Sequence, residues 1–213
     1  MSRSRSKTEG NRGSTYHHGD LRNACIKAAL ELIEGEGVPA VTLRAVAERV
    51  GVSRSAPYRH FKDKRALLAA CTAHGFRLME RKIREAADAE GGDPMAQFHA
   101  GCLAYARFGA EHPRLYPLLF SGDLSDGEYP ELAAAGSDAF QVPIDLLTAA
   151  QEAGVVKRSD PRLQAFALWS TLHGVVNLHI DSRPNEVFDS SALEENIRSI
   201  IGVLWEGLAA TPH

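Results

Sequence analysis

Leu43-Arg-Ala-Val-Ala-Glu-Arg-Val-Gly-Val-Ser-Arg-Ser-Ala-Pro-Tyr-Arg-His-Phe61 reads as two short helices meeting across a tight turn. Leu43, Val46, Ala47 and Val50 recur at steps of three and four, and Thr42 stands before them as an N-cap. Gly51 ends that helix and permits the positive φ a tight turn can require. Ser53 is placed to cap the second helix, over about Arg54 to Phe61. Ala47 is small where the two helices cross, and Val46, Val50 and Val52 fill the wedge between them. This is the pattern of a helix-turn-helix, whose second helix enters the major groove of DNA. The residues that helix exposes are Arg54, Ser55, Tyr58, Arg59 and His60, all donors with no acid among them, as a phosphate-lined groove requires. Arg can grip a guanine edge with two hydrogen bonds or contact phosphate. Pro57 falls within the first turn, where a missing N–H costs least.

Working outward, the periodicity predicts helices almost throughout. Leu21, Cys25, Ala28, Ala29, Leu32 and Ile33 mark one before the quoted stretch, capped by Asp20 and stopped at Gly35 and Gly37. After it, Asp63 caps a long helix from Lys64 to about Ala89. Asp93 and Pro94 restart the chain into a helix reaching Glu111, and His112-Pro113 stops it. A short helix runs through Leu119, and Ser121 to Pro130 reads as a loop. Helix resumes near Glu131 and ends at Gly154, with Pro143 inside it expected to kink or split it. Asp160-Pro161 opens a helix to about Asp181, ended by Arg183-Pro184. Ser190 or Ser191 starts the last one, with Leu193, Ile197, Ile200, Ile201, Leu204, Trp205 and Leu208 on a broad face. No strand and no internal repeat is legible. The expectation is an all-α chain of about nine helices.

The charge divides along the same line. The net charge of the 213 residues is -3, which taken whole argues against a polyanion partner. Residues 1–65 carry 13 Lys and Arg against 7 Asp and Glu, a net of +6, while residues 66–213 carry 11 against 20, a net of -9. A basic head on an acidic body attracts nucleic acid through the head. Met1 to Thr15, with Arg3, Arg5, Lys7 and Arg12, has no apolar periodicity and reads as a flexible basic arm.

Residues 16–70 resemble the DNA-binding head of the tetracycline-repressor family. The matching pieces are Tyr16-His-His-Gly-Asp-Leu-Arg22, Ala28-Ala29, Thr42-Leu43-Arg44, Ala47, Gly51-Val52-Ser53, Tyr58-Arg-His-Phe-Lys-Asp-Lys64 and Leu67-Leu68. The resemblance implies phosphate contacts by Tyr58 and Lys64, a backbone contact by Thr42 and DNA-facing positions at Arg44 and His60. Pro57 departs from the more usual aliphatic residue. Tyr16, His17 and His18 either join the contact or pack the first helix. The resemblance also implies that 66–213 is a ligand-binding and dimerisation domain, after an arm over 1–15 and a head over 16–65. The expected partners are a double-stranded DNA operator, a small-molecule effector and a second copy of the chain, docked through the last two long helices.

Within the body, Trp169-Ser-Thr-Leu-His173-Gly174 resembles the Trp-x-x-x-His-Gly signature of one C-terminal subgroup of these regulators. Trp169 and His173 share one helix face. They are either a packed Trp with a hydrogen-bonded core His, or the polar handle of a ligand pocket. Phe98, Cys102 and Tyr105 on one helix, Tyr116 and Phe120 on the next, and Trp169 and His173 on a third are the candidate pocket residues, suited to a small, mostly apolar or aromatic molecule. The last helix has more apolar positions than one buried stripe uses, so its face either meets a second subunit or packs internally.

Other chemistry finds no pattern. There is no GxGxxG, P-loop or GxSxG, and no cofactor is implied. His173 and His179 are six apart and diverge on a helix, so no metal site is expected there. Asp123, Asp126, Glu128 and Glu131 do not follow the order of a calcium loop and read as solvated charge. Cys25, Cys71 and Cys102 are too far apart for a metal pair and are expected as reduced thiols. The longest apolar run, Ala66 to Cys71, is far short of a membrane span of roughly 20 residues. No apolar signal core follows the basic start, so a cytoplasmic protein is expected. The function expected is a ligand-responsive transcription regulator, most simply a repressor. A regulator gated by a protein partner, or ungated, stays open. So does an enzyme with a helix-turn-helix docking module, which nothing in the residues favours.

Overall fold

The computed structural model describes residues 21–124, 127–181 and 192–208. The basic arm, Tyr16 to His18, the Asp20 cap, the stop at Arg183-Pro184 and the start at Ser190 or Ser191 lie outside them. The described residues form eight α-helices with three short 3-10 turns and no strand. The all-α expectation holds. The helices are α1 Leu21–Glu36, α2 Leu43–Val50, α3 Lys64–Asp88, α4 Pro94–Glu111, α5 Tyr116–Leu119, α6 Pro130–Glu152, α7 Pro161–Ile180 and α8 Leu193–Leu208.

The caps read from the sequence are where local chemistry puts them. The Thr42 hydroxyl accepts from the Ala45 amide at 3.0 Å, and the Asp63 carboxylate accepts from Ala66 at 2.8 Å. Asp93 and Asp160 accept from Met95 and Arg162, each followed by a proline that needs no partner. Gly51 ends α2 at φ 77, with both its own N–H and that of Val52 donating to the Ala47 carbonyl at 3.0 Å. That left-handed residue lets the chain reverse within two positions.

Two expectations are corrected. The second helix of the quoted stretch is not an α-helix: it is a 3-10 turn, Pro57–Arg59, flanked by turns. The cause is Pro57, which has no N–H to give the Ser53 carbonyl in an i to i−4 bond. That carbonyl instead accepts from Ala56 at 2.9 Å, and only at Phe61, which donates to Pro57 at 3.0 Å, does α-type bonding appear. Ser53 is accordingly not an α-helix cap. For this reason the described residues hold eight helices where about nine were expected. Second, of the kink or split expected at Pro143, the split does not occur: α6 runs through it as one element.

α1 packs on the first half of α3, where the Cys71 thiol donates to the Ile26 carbonyl at 3.9 Å, and α2 and the Pro57–Arg59 turn pack on α1. The second half of α3 packs against α4 and α6 in the body. A boundary after residue 65 therefore falls just inside a helix of about 37 Å that both halves share. α4 and α7 cross closely at Gly109, where an added Cβ would lie 2.3 Å from Val176 Cγ1. On α8, Leu193, Ile197 and Ile201 are buried, while Ile200, Leu204 and Trp205 pack partly covered. Trp205 lies against Phe98 and His99 of α4. Most of the broad α8 face thus packs internally. The exposed large apolar residues of the last two helices are Leu163, Phe166 and Leu178 on α7 and Val203 on α8.

Candidate functional site

The turn between α2 and α3 carries most of the residues expected to meet DNA, and it leaves them outside. Arg54, Ser55, Tyr58, Arg59 and His60 are exposed, beside Thr42 and Arg44 at the start of α2. Pro57 and Phe61 are buried beneath them, anchoring the turn to the α1–α2 core. Tyr58 is 59% exposed, high for an aromatic residue with no covering neighbour. The Ser53 and Ser55 hydroxyls lie 3.3 Å apart.

Three details qualify the donor face. Lys64 is half-buried and donates to the carbonyls of Val38 (2.9 Å) and Pro39 (3.3 Å), which leaves one of its three ammonium hydrogens. Thr42 spends its hydroxyl oxygen on the α2 cap. The face is also not free of acid: Glu48, one turn along α2, pairs with Arg44 at 3.0 Å and stands 3.9 Å from Arg54. An i, i+4 count from Arg44 could have found the first pair.

Of the four acids expected as solvated charge, Glu128 before α6 and Glu131 in its first turn are ion-paired, while Asp126 lies outside the described residues. Glu131 bridges Arg22 of α1 (2.5 Å) and Arg77 of α3 (2.9 Å), Glu128 pairs with Lys62, and Arg65 donates to the Asp123 carbonyl at 2.5 Å. On the other flank, Arg114 donates to the Glu34 carbonyl at 2.9 Å and to Gly35, and His112 lies 3.2 Å from the Glu34 carboxylate. The segment leading into α5 therefore holds the C-terminal end of α1.

Between α3, α4, α6 and α7 the body encloses a cavity of about 190 Å³. Five of the seven expected pocket residues line it: Phe98, Cys102, Tyr105, Phe120 and Trp169. Phe76, Met79 and Ile83 of α3, Gly136, Phe140 and Pro143 of α6, and Leu168 and Leu172 of α7 complete most of the wall. The α3 and α6 contributions were missed, because an inward apolar residue looks the same whether it meets a neighbour or a void. No charged residue lines the cavity. Pro143 opens onto it without interrupting α6.

Tyr116 and His173 do not line the wall; they stand behind it. The Tyr116 hydroxyl lies 2.5 Å from that of Tyr105 and 2.8 Å from His173 Nδ1, and Tyr105 is 3.5 Å from the same nitrogen. The Trp169 indole N–H also faces the Tyr105 oxygen. Burial pushes both phenols well above their ordinary range and holds His173 below its own, so all three are neutral at pH 7. Burial also pushes the Cys102 thiol up to about 12, so it is a neutral part of the wall. All three cysteines are free and buried.

A solvent-facing basic turn on a small helical head, joined by one long helix to a hollow helical body, is the architecture of a DNA-binding regulator with a separate C-terminal domain. Comparison with known proteins agrees. Residues 26–71 match the model of bacterial regulatory proteins of the tetR family, and residues 98–199 match that of the tetracyclin repressor-like C-terminal domain. The second match takes in Trp169, His173 and Gly174. Tetracycline repressor protein class C of Escherichia coli is 53% identical over 49 residues, 23% of this chain and 22% of that protein. The chain thus matches about a fifth of the length of such curated relatives. A protein with unknown function from Rhodococcus sp. RHA1 has the same fold at TM-score 0.79 and 29% identity, over 92% of this chain and 100% of that one. A bacterial regulatory protein in the tetR family from Rhodococcus RHA1 shares the fold at TM-score 0.66 and 19% identity, over 90% and 98% of the two chains. The chain belongs to the tetR family of bacterial transcription regulators, with a DNA-binding domain and a ligand-binding domain, and is not an enzyme.

Proposed function

We propose that the chain is a repressor that binds a near-palindromic operator as a homodimer and lets go when a small, mostly apolar or aromatic molecule enters the cavity. The observation that carries this reading is the exposed donor face at Arg54 to His60, seated on buried Pro57 and Phe61. Residues 1–15 act as an arm, 16–65 as the reading head and 66–213 as the sensing and dimerising body, in the cytoplasm. Tyr58, Lys64, Thr42, Arg54 and His60 contact phosphate and fix register; Arg44, Ser55 and Arg59 reach base edges.

Dimerisation is supported by what α7 leaves uncovered. Leu163, Phe166, Ser170, Gly174 and Leu178 are exposed along one side of that helix, and no described residue outside the helix's own backbone lies within 4 Å of a Cβ added at Gly174. Val203 and Gly202 are exposed on α8. A second copy laid against both helices covers these residues and makes a four-helix interface. Release is supported by α5: Phe120, just past its end, lines the cavity, while His112 and Arg114 before it hold the end of α1. A ligand that prefers a shifted α5 changes the spacing of the two heads, and acts only by its differential affinity for the two arrangements.

Anisotropy titrations of the full chain on duplex DNA between about 50 and 200 mM salt test the reading. Affinity should fall steeply with salt, and Tyr58→Phe should weaken every sequence alike. A salt-independent affinity, untouched by Tyr58→Phe and Arg59→Ala together, would remove the head from the DNA contact.

A further inference from the structure

We propose that the cavity selects an uncharged molecule of about one substituted aromatic ring whose single polar group is a carbonyl oxygen, held by the Tyr105 O–H. This rests on the reading of the cavity as the effector site and goes beyond it by fixing the ligand's charge and polarity.

Size comes first. A cavity of about 150 Å³ lined by aliphatic and aromatic side chains binds benzene, so about 190 Å³ has room for one ring with a short substituent. Charge is decided next. No Lys, Arg, Asp or Glu lines the wall, and the nearest imidazole, His173, has Tyr116 and Tyr105 as its partners with no carboxylate to hold a proton on it. An ion entering here loses its water and gains no counter-charge, which is strongly unfavourable.

Polarity follows from the hydrogen-bond chain. Tyr105, Tyr116 and His173 Nδ1 form a line of three groups holding two hydroxyl protons. With Nδ1 bare, Tyr116 donates to it and Tyr105 donates to Tyr116. No proton then points into the cavity, and the empty site has no orphaned donor on this chain. With the proton on Nδ1 the line reverses: Nδ1–H donates to Tyr116, Tyr116 donates to Tyr105, and the Tyr105 O–H is free to turn into the cavity. The reversal leaves a buried donor unmade unless the ligand brings an acceptor, so only an acceptor-bearing ligand stabilises it. The Trp169 N–H already faces the Tyr105 oxygen, so the reversed line leaves the Tyr105 O–H as the donor offered to the cavity, and a carbonyl oxygen has a lone pair to receive it. The relay lets the site switch from closed on itself to donating without moving a heavy atom.

Three ligands of nearly equal size separate the claims: cumene, acetophenone and benzoate, titrated calorimetrically into the full chain at pH 7.5. Acetophenone should bind about tenfold more tightly than cumene, the worth of one buried hydrogen bond, and benzoate more weakly than either. Tyr105→Phe keeps the ring and leaves Tyr116 with His173; it should bring acetophenone to within about twofold of cumene. Equal binding of cumene and acetophenone would overturn the carbonyl assignment and leave the cavity as a binding site. Tightest binding by benzoate would overturn the neutral class. Binding of none of the three would overturn the cavity reading itself. A melting curve of the Tyr105→Phe variant, expected to stay cooperative, ties the change to the site rather than to loss of fold.

Discussion

At the scale of single residues, the DNA face is set as much by its acid as by its bases. Glu48 occupies Arg44 and stands near Arg54, so in the free head both guanidinium groups are partly neutralised before any phosphate arrives. Glu48→Gln should raise affinity for all duplexes several-fold and steepen the salt dependence, read by anisotropy at two salt concentrations. Gly109 makes a second sharp case. A methyl there would stand 2.3 Å from Val176 Cγ1, an atom on a short, stiff side chain. Gly109→Ala should therefore cost about 1–3 kcal/mol in urea unfolding, and Val176→Ala in the same chain should recover part of it. The Arg44–Glu48 pair was within reach of an i, i+4 count, whereas the approach of Glu48 to Arg54 and the importance of Gly109 depend on how the chain folds back and which helix crosses it.

Individual elements were read well wherever termination is chemical and local. α2 and α3 begin at Leu43 and Lys64, as Thr42 and Asp63 predict, and Gly51 ends α2 with the positive φ expected of it. Loss of the α3 cap in Asp63→Ala should cost about 1 kcal/mol in thermal or urea unfolding. The failure is equally local. Pro57 was assigned to a first turn that tolerates it, but the segment is only about two turns long, and one missing amide leaves too few i to i−4 bonds to propagate a helix. Pro143 does not split its helix: α6 is 23 residues long and packed on both α3 and α4, so tertiary contacts carry it past the missing bond. The pocket was half legible for a related reason. Aromatic residues on α4 and α7 announced themselves, whereas the α3 and α6 walls appear only once the helices are assembled around a void.

The whole molecule is a small basic reader bound to a larger acidic body, and its average charge conceals that division. Ion pairs from the body's Glu128 and Glu131 to Lys62, Arg65, Arg22 and Arg77 hold the two halves together across α3. Burial of His74, His99 and His173 holds each below the ordinary imidazole range. Their unfolded forms take up protons first, so the unfolded state binds more protons as pH falls through about 6.5. Stability should be fully present above that value and decline below it, and His173→Gln should flatten the decline in urea midpoints between pH 7.5 and 5.5. Assembly is tested at Gly174: Gly174→Leu fills the exposed centre of the α7 stripe and should shift sedimentation at micromolar concentration from dimer toward monomer. Because no described residue outside the helix's own backbone lies within 4 Å of a Cβ added there, its melting temperature as a monomer should change little.

Selection of bound duplexes from a random pool by the full chain tests the central claim, that two copies present the Arg54–His60 face to successive major grooves. The account predicts two inverted half-sites whose centres are about 10 base pairs apart, or a multiple of that, enriched by the native chain and lost with Arg59→Ala and Tyr58→Phe. A single asymmetric site, or no enrichment over the starting pool, would contradict it.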